Sequence, residues 1–172
     1  MTDFSGSAST TRTRTFTWDD PAITAHAGRT MNGLEFFHAM IRGDVPSPPI
    51  SRMLGMRLAQ AEHGRVVFEL TTHESHCNPY ATIHGGVICT ILDSAMTCCV
   101  QTTLPAGVGC TTLDIQVQFL RPVFPTTGLL FAESELVNVG KRIGAARGKM
   151  IDTNGKIYAT GSTMVMVLSP GD

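Results

Sequence analysis

The chain has 172 residues and a formal net charge of -1, with 13 Lys and Arg against 14 Asp and Glu. That length suits one domain, and so even a charge balance offers no field to recruit nucleic acid or an anionic membrane. A hydrophobic content of 42% with 16% charged residues describes a folded protein poorer in charge than average, so part of its apolar surface is expected to be covered by a partner. The five cysteines, Cys77, Cys89, Cys98, Cys99 and Cys110, form neither an even framework nor C-x-x-C knuckles. They read as reduced thiols in a reducing compartment. With no apolar leader and no clear span, the expected location is the cytoplasm.

Residues 1–17 are dominated by Ser, Thr and Arg without an apolar period, and residues 1–32 are expected to be a flexible tail ahead of a single domain over 33–172. From Asn32 the spacing of Leu34, Phe37, Met40 and Ile41 predicts an amphipathic helix of about 10 residues, capped by Asn32 and ending near Gly43. Val45-Pro46-Ser47-Pro48-Pro49 is expected to be an extended connector. Two apolar runs, 56–61 and 65–70, flank Glu62-His63-Gly64 as a hairpin. Residues 71–83 have no period, contain Asn78-Pro79, and with His73, His76 and His84 gather polar side chains in front of the next element.

His84-Gly85-Gly86 opens a helix that is apolar nearly all round through Val100. After the turn at Leu104-Pro105-Ala106-Gly107, residues 112–119 alternate Leu113, Ile115, Val117 and Phe119 with polar neighbours, the period of a half-buried strand. Runs 128–139, 142–152 and 156–168 follow, the last two joined through Asn154-Gly155, a hairpin signal. The order predicts an α+β fold in which an antiparallel meander wraps one long central helix. A helix apolar on every side needs either a sheet that curls round it or a second subunit.

Chemistry concentrates on that helix. Gly85 and Gly86 allow close backbone approach, and first-turn N–H groups favour a developing oxyanion. Asp93 sits mid-helix among Ile91, Leu92, Ala95 and Met96, where a carboxylate is either satisfied structurally or placed to activate water or attack an acyl carbon. Seven residues separate Gly86 from Asp93, about 10 Å along a helix axis. One helix cannot aim both at one carbonyl carbon, so a shared site predicts a two-fold dimer in which Gly86 of one subunit faces Asp93 of the other. His73, His76 and His84 lack the fixed i, i+4 spacing of helical metal motifs, and no metal is expected. No G-x-S-x-G elbow, Walker A loop or dinucleotide fingerprint occurs. Arg121, Lys141, Arg142, Arg147 and Lys149 are either a solvated strand edge or a landing place for a phosphate-bearing ligand.

Taken together, His76-Cys77-Asn78-Pro79, His84-Gly85-Gly86-Val87-Ile88, Leu92-Asp93-Ser94-Ala95-Met96 and Phe119-Leu120-Arg121-Pro122-Val123 resemble the successive signatures of PaaI-like hotdog-fold acyl-CoA thioesterases. The resemblance spans residues 33–168. It implies a helix wrapped by an antiparallel sheet, homodimers paired into homotetramers, and hydrolysis of an acyl-CoA thioester without metal or cofactor, coenzyme A being part of the substrate. By resemblance Asp93 is the catalytic nucleophile or general base and the Gly86 N–H polarises the thioester carbonyl. Asn78 and His84 stand beside the nucleophile, Thr112 helps hold water or substrate, and Arg121, Lys141 and Arg142 meet the coenzyme A phosphates. Many relatives carry glycine where this chain has Ala81, so the loop is expected to bend differently there. The competing readings are a non-catalytic acyl or acyl-CoA binding module and an enoyl-thioester hydratase, whose Asp/His loop is not found.

Overall fold

The computed structural model describes residues 11–169. Asp20 accepts a hydrogen bond from the Ala22 N–H at 2.9 Å and Pro21 occupies the first turn, which together start α1 (Pro21–Thr30). The flexible tail expected over 1–32 is therefore corrected within the described residues: 21–30 is helical, and Ala27 packs with Ala39 and Val45 in a small cluster of its own. Ahead of it, residues 11–20 are irregular, and Arg12 and Arg14 reach across to Glu74, Ser75 and His76.

α2 (Gly33–Arg42) begins at Asn32, whose side chain accepts from the Glu35 N–H at 3.0 Å, and ends at Gly43 in the left-handed conformation (φ 85°), as its spacing predicted. The connector is extended only as far as Pro48. Pro49 then opens a short helix, α3 (Pro49–Leu54), because proline fits the first helical turn, where no N–H partner is required.

The hairpin β1 (Met56–Glu62) and β2 (Arg65–Thr71) is followed by the central helix α4 (Gly85–Gln101), then β3 (Gly109–Phe119), β4 (Leu129–Val139), β5 (Ile143–Asp152) and β6 (Ile157–Leu168). All pairings are antiparallel and the spatial order is β1-β2-β4-β5-β6-β3. The expected four-strand meander thus holds for β4, β5 and β6 only. β4 takes the free side of β2, while α4 carries the chain across the sheet, so β3 is delivered to the far edge beside β6.

α4 lies against this sheet through Ile88, Ile91, Leu92, Ala95, Met96, Cys99 and Val100, all buried and spaced at three and four residues. They meet Phe68, Leu70, Leu130, Met150 and Val165 in one core. Glycines on the sheet let the helix sit close. A Cβ added at Gly144 would lie 2.5 Å from Val100 Cγ1, and one at Gly148 3.0 Å from Met96 Cγ. The buried Ser134 hydroxyl donates to the Ala95 carbonyl at 2.8 Å and lies 3.1 Å from the Val66 carbonyl, tying helix to sheet.

Candidate active site

The outer side of α4 reads differently from the side in the core. Thr90, Asp93, Ser94, Thr97 and Gln101 recur at three and four residues and are only half-buried, which places them on one stripe. Thr90 donates to the Gly86 carbonyl and Ser94 to the Thr90 carbonyl, at 2.8 and 2.9 Å, so both hydroxyls are satisfied by their own helix. Asp93 is held from two directions. Its Oδ1 accepts from Thr112 Oγ1 at 2.8 Å and from Thr97 Oγ1 at 3.3 Å, and the two hydroxyls are 3.0 Å apart. Thr97 comes from one turn further along α4. Thr112 comes from β3, beside the point where its pairing with β6 shifts register between Thr112 and Asp114, a bulge that re-aims the strand. Asp93 Oδ2 makes no hydrogen bond among the described residues.

The carboxylate is therefore not surrounded by apolar helix neighbours as the chain order alone implied. It is half-buried at the wall of a cavity of about 580 Å³. Phe36, Phe37 and Met40 of α2 and Met56, Leu58 and Phe68 of β1 and β2 make the apolar part of that cavity. Cys98 and Cys110 also line it. Burial, then the neighbouring Asp93 charge, pushes the Cys110 thiol up to about 12, and Cys98 is raised by burial, Cys110, Asp93 and Cys99 in that order. Both are protonated at neutral pH and are poor nucleophiles.

At the other end of the helix, His84 is the cap: its Nδ1 accepts the Gly86 N–H at 2.8 Å. The N–H expected to polarise a carbonyl is thus engaged by a side chain two residues away. Asn78 closes its own loop, accepting from the Tyr80 N–H at 2.9 Å and donating to Thr82 Oγ1 at 2.8 Å. Ala81 adopts the left-handed conformation (φ 58°), the one glycine takes without strain. The bend is thus of the glycine type, kept by alanine at a steric cost of about 1–2 kcal/mol. His73 is hydrogen-bonded to Ser75 and His76 to Arg14, so each of the three loop histidines is used locally.

Asp93 and Thr112 are brought together, and Asn78, His84 and Gly86 share the far end of α4. Within one chain the two groups stay about two turns apart, roughly 10 Å for seven helical residues. The basic residues do not gather either. Arg121 donates to the Ile157 carbonyl near the Phe119↔Ala159 end of β6, whereas Lys141 and Arg142 precede Ile143, which pairs with Met166. Seven residues of β6 separate these ends, roughly 23 Å, so one protomer offers no joint cluster of the three. Arg121 instead borders a groove of about 290 Å³ with Gly85 and Phe119. Thr97 was not singled out from sequence, although a hydroxyl at i+4 from a helical carboxylate is a readable signal.

Residues 80–159 match the family model of the thioesterase superfamily. Among solved structures the chain is similar to the phenylacetic acid degradation-related protein of Ralstonia eutropha JMP134, with 28% identity over 76% of this chain and 98% of that one and a TM-score of 0.68. It shares the fold of the E. coli PaaI protein (20% identity, 80% and 94% covered, TM-score 0.69) and of a thioesterase from Haemophilus influenzae (19%, 81% and 92%, TM-score 0.69). No protein of curated function matches the chain. No helix among the described residues is long and apolar enough to cross a membrane. A six-stranded antiparallel sheet with α4 on its face, a match to the thioesterase-superfamily model over residues 80–159 and the likeness to the Ralstonia protein together support a PaaI-like, hotdog-fold thioester hydrolase.

Proposed function

We propose that the protein hydrolyses an acyl-CoA thioester to the free acid and coenzyme A, in sites shared across a homodimer. The observation that carries this reading is Asp93 at the wall of an apolar cavity, with Oδ1 held by Thr112 and Thr97 and Oδ2 unengaged among the described residues. Asp93 serves as general base or as nucleophile. In the general-base form, a water oxygen bonds to the thioester carbon while its proton passes to Asp93 Oδ2. The tetrahedral intermediate then collapses with cleavage of the C–S bond, and the proton passes on to the departing thiolate. Thiolate leaves readily, so no second acid is needed.

The charge developing on the carbonyl oxygen calls for a donor, and a single oriented N–H contributes roughly 3 kcal/mol of barrier lowering. Gly86 of the partner subunit supplies it in this reading, by exchanging His84 Nδ1 for the thioester oxygen as acceptor. Asn78 keeps the loop before His84 in shape. The dimer forms along β3, an edge strand of 11 residues whose unpaired backbone groups and exposed Leu113 and Phe119 suit pairing with a second copy. Thr112, on that strand, then stands close to the junction. Arg121, beside Gly85, meets a coenzyme A phosphate, and Lys141 and Arg142 reach the same ligand only from another subunit of a homotetramer. The free thiols fit a cytoplasmic location, and the reaction asks for no cofactor beyond the substrate's own coenzyme A.

A thiol-release assay over short, medium and aromatic acyl-CoAs tests this. Wild type turns over at least one of them, and Asp93→Asn abolishes turnover while leaving the fold intact. Unchanged activity in the variant overturns the assignment, and tight binding with no hydrolysis by wild type favours the acyl-CoA binding module.

A further inference from the structure

The cavity beside Asp93 has a second wall that hydrolysis itself does not require. Pro21, Thr24, Ala25 and Gly28 of α1 line it, spaced at three and four residues so that one helix face looks in. Their side chains are small, Arg29 being the one long side chain that α1 adds to the lining, and they share the cavity with the rings of Phe36, Phe37 and Phe68. α1 lies outside residues 80–159 that match the family model, yet it is fixed in place. Ala27 packs on Ala39 and Val45, and Thr24 Oγ1 donates to the Pro46 carbonyl at 2.9 Å. The stretch leading into α1 is pinned by Arg14, which donates to Ser75 Oγ at 2.8 Å and lies 2.8 Å from His76 Nε2. Burial, then Arg14, then His73 lower the pKa of His76, so at neutral pH the ring is a neutral acceptor for that guanidinium.

Building on the thioesterase reading, we infer that α1 is the far wall of the acyl pocket, that Gly28 sets its depth, and that the substrate carries a bulky apolar acyl group, medium-chain or aryl. A volume of about 580 Å³ falls in the range of sites that enclose a sizeable ligand. An acetyl group would leave most of it unfilled, and each methylene that fits such a pocket is worth roughly tenfold or more in discrimination. Small residues at 24, 25 and 28 keep that space open, because one larger side chain on this face projects directly into it.

Gly28→Leu tests the wall. A Cβ at Gly28 would stand 3.7 Å from the nearest Phe36 ring atoms, an ordinary contact, and leucine favours the helix over glycine, so folding is preserved. With butanoyl-, octanoyl- and benzoyl-CoA as probes, the variant should lose at least ~10-fold in kcat/KM for octanoyl or benzoyl while butanoyl stays within ~2-fold, and Gly28→Ala should fall between. Which of the two large probes suffers more tells a straight-chain pocket from an aryl one. A uniform change across the three, or none, overturns the inference. Calorimetric binding of the non-hydrolysable thioether analogues of the same three compounds gives a readout independent of turnover. Selective weakening there, with no thioester hydrolysed by wild type, would keep the wall and retire the hydrolase. Equal weakening of all three, or unchanged binding, would retire the wall.

Discussion

On its sheet side α4 presents Met96 and Val100 to glycines that let it sit within van der Waals contact of β5 and β6, whereas on its outer side Asp93, Ser94 and Thr97 face a cavity. The first stripe is buried in the core. In the second stripe the hydroxyls are satisfied locally, and one carboxylate oxygen is left without a hydrogen bond among the described residues. The same 17-residue helix therefore carries stability on one stripe and reactivity on the other, and changes to the two stripes should separate cleanly in experiment.

The largest separation is expected at Asp93. Asp93→Asn keeps the shape and can still accept from Thr112, so the melting temperature should stay within ~2 °C while kcat falls by about a thousandfold, read by thiol release. A substantial drop in melting temperature would mean that the outer stripe also holds the fold. Gly144→Val is the converse. Its Cβ would lie 2.5 Å from Val100 Cγ1 and 3.1 Å from Val165 Cγ2, so urea unfolding should show a loss of about 3 kcal/mol, with activity per folded molecule close to wild type. Thr112→Val and Thr97→Val each remove one hydroxyl from Asp93 Oδ1. Each should lower kcat by roughly tenfold and stability by less than ~1 kcal/mol. Because the two hydroxyls are also in contact with each other, the double variant should lose less than the product of the singles. The smallest effect is expected away from both stripes: Ala81→Gly relieves a left-handed alanine and should raise unfolding free energy by about 1 kcal/mol, the strain relieved less the extra freedom of the unfolded chain.

Much of this contrast was readable before any coordinates, because periodicity and turn chemistry are local. The cap at Asn32, the glycine stop at Gly43 and the turn at Asn154-Gly155 fell where their residues pointed, and 112–119 is a strand, but its alternation is broken by the register shift between Thr112 and Asp114 and leaves Leu113 and Phe119 exposed. α1 was hidden because Ala22, Thr24, Ala25, Gly28 and Thr30 supply no apolar period, and its helicity rests on Asp20, Pro21 and a small packing cluster. α3 was hidden by its prolines. The edge position of β3 depends on which side of the sheet α4 delivers the chain to, and no short window of sequence encodes that. The same is true of the site. The Gly86 to Asp93 spacing was visible as a number, but the grip of Thr112 on Asp93 links residues 19 apart and exists only once helix and edge strand have met.

The two-turn separation of Gly86 and Asp93 also bears on inheritance. In the proposed dimer every site draws one half from each chain, so a subunit lacking Asp93 and a subunit lacking the Gly86 N–H are each inert alone. Mixed together they rebuild one whole site from their two sound halves while the other site collects both defects. Two dead alleles would restore function to one another, and a single defective allele expressed beside a sound one would leave its mixed dimers half active.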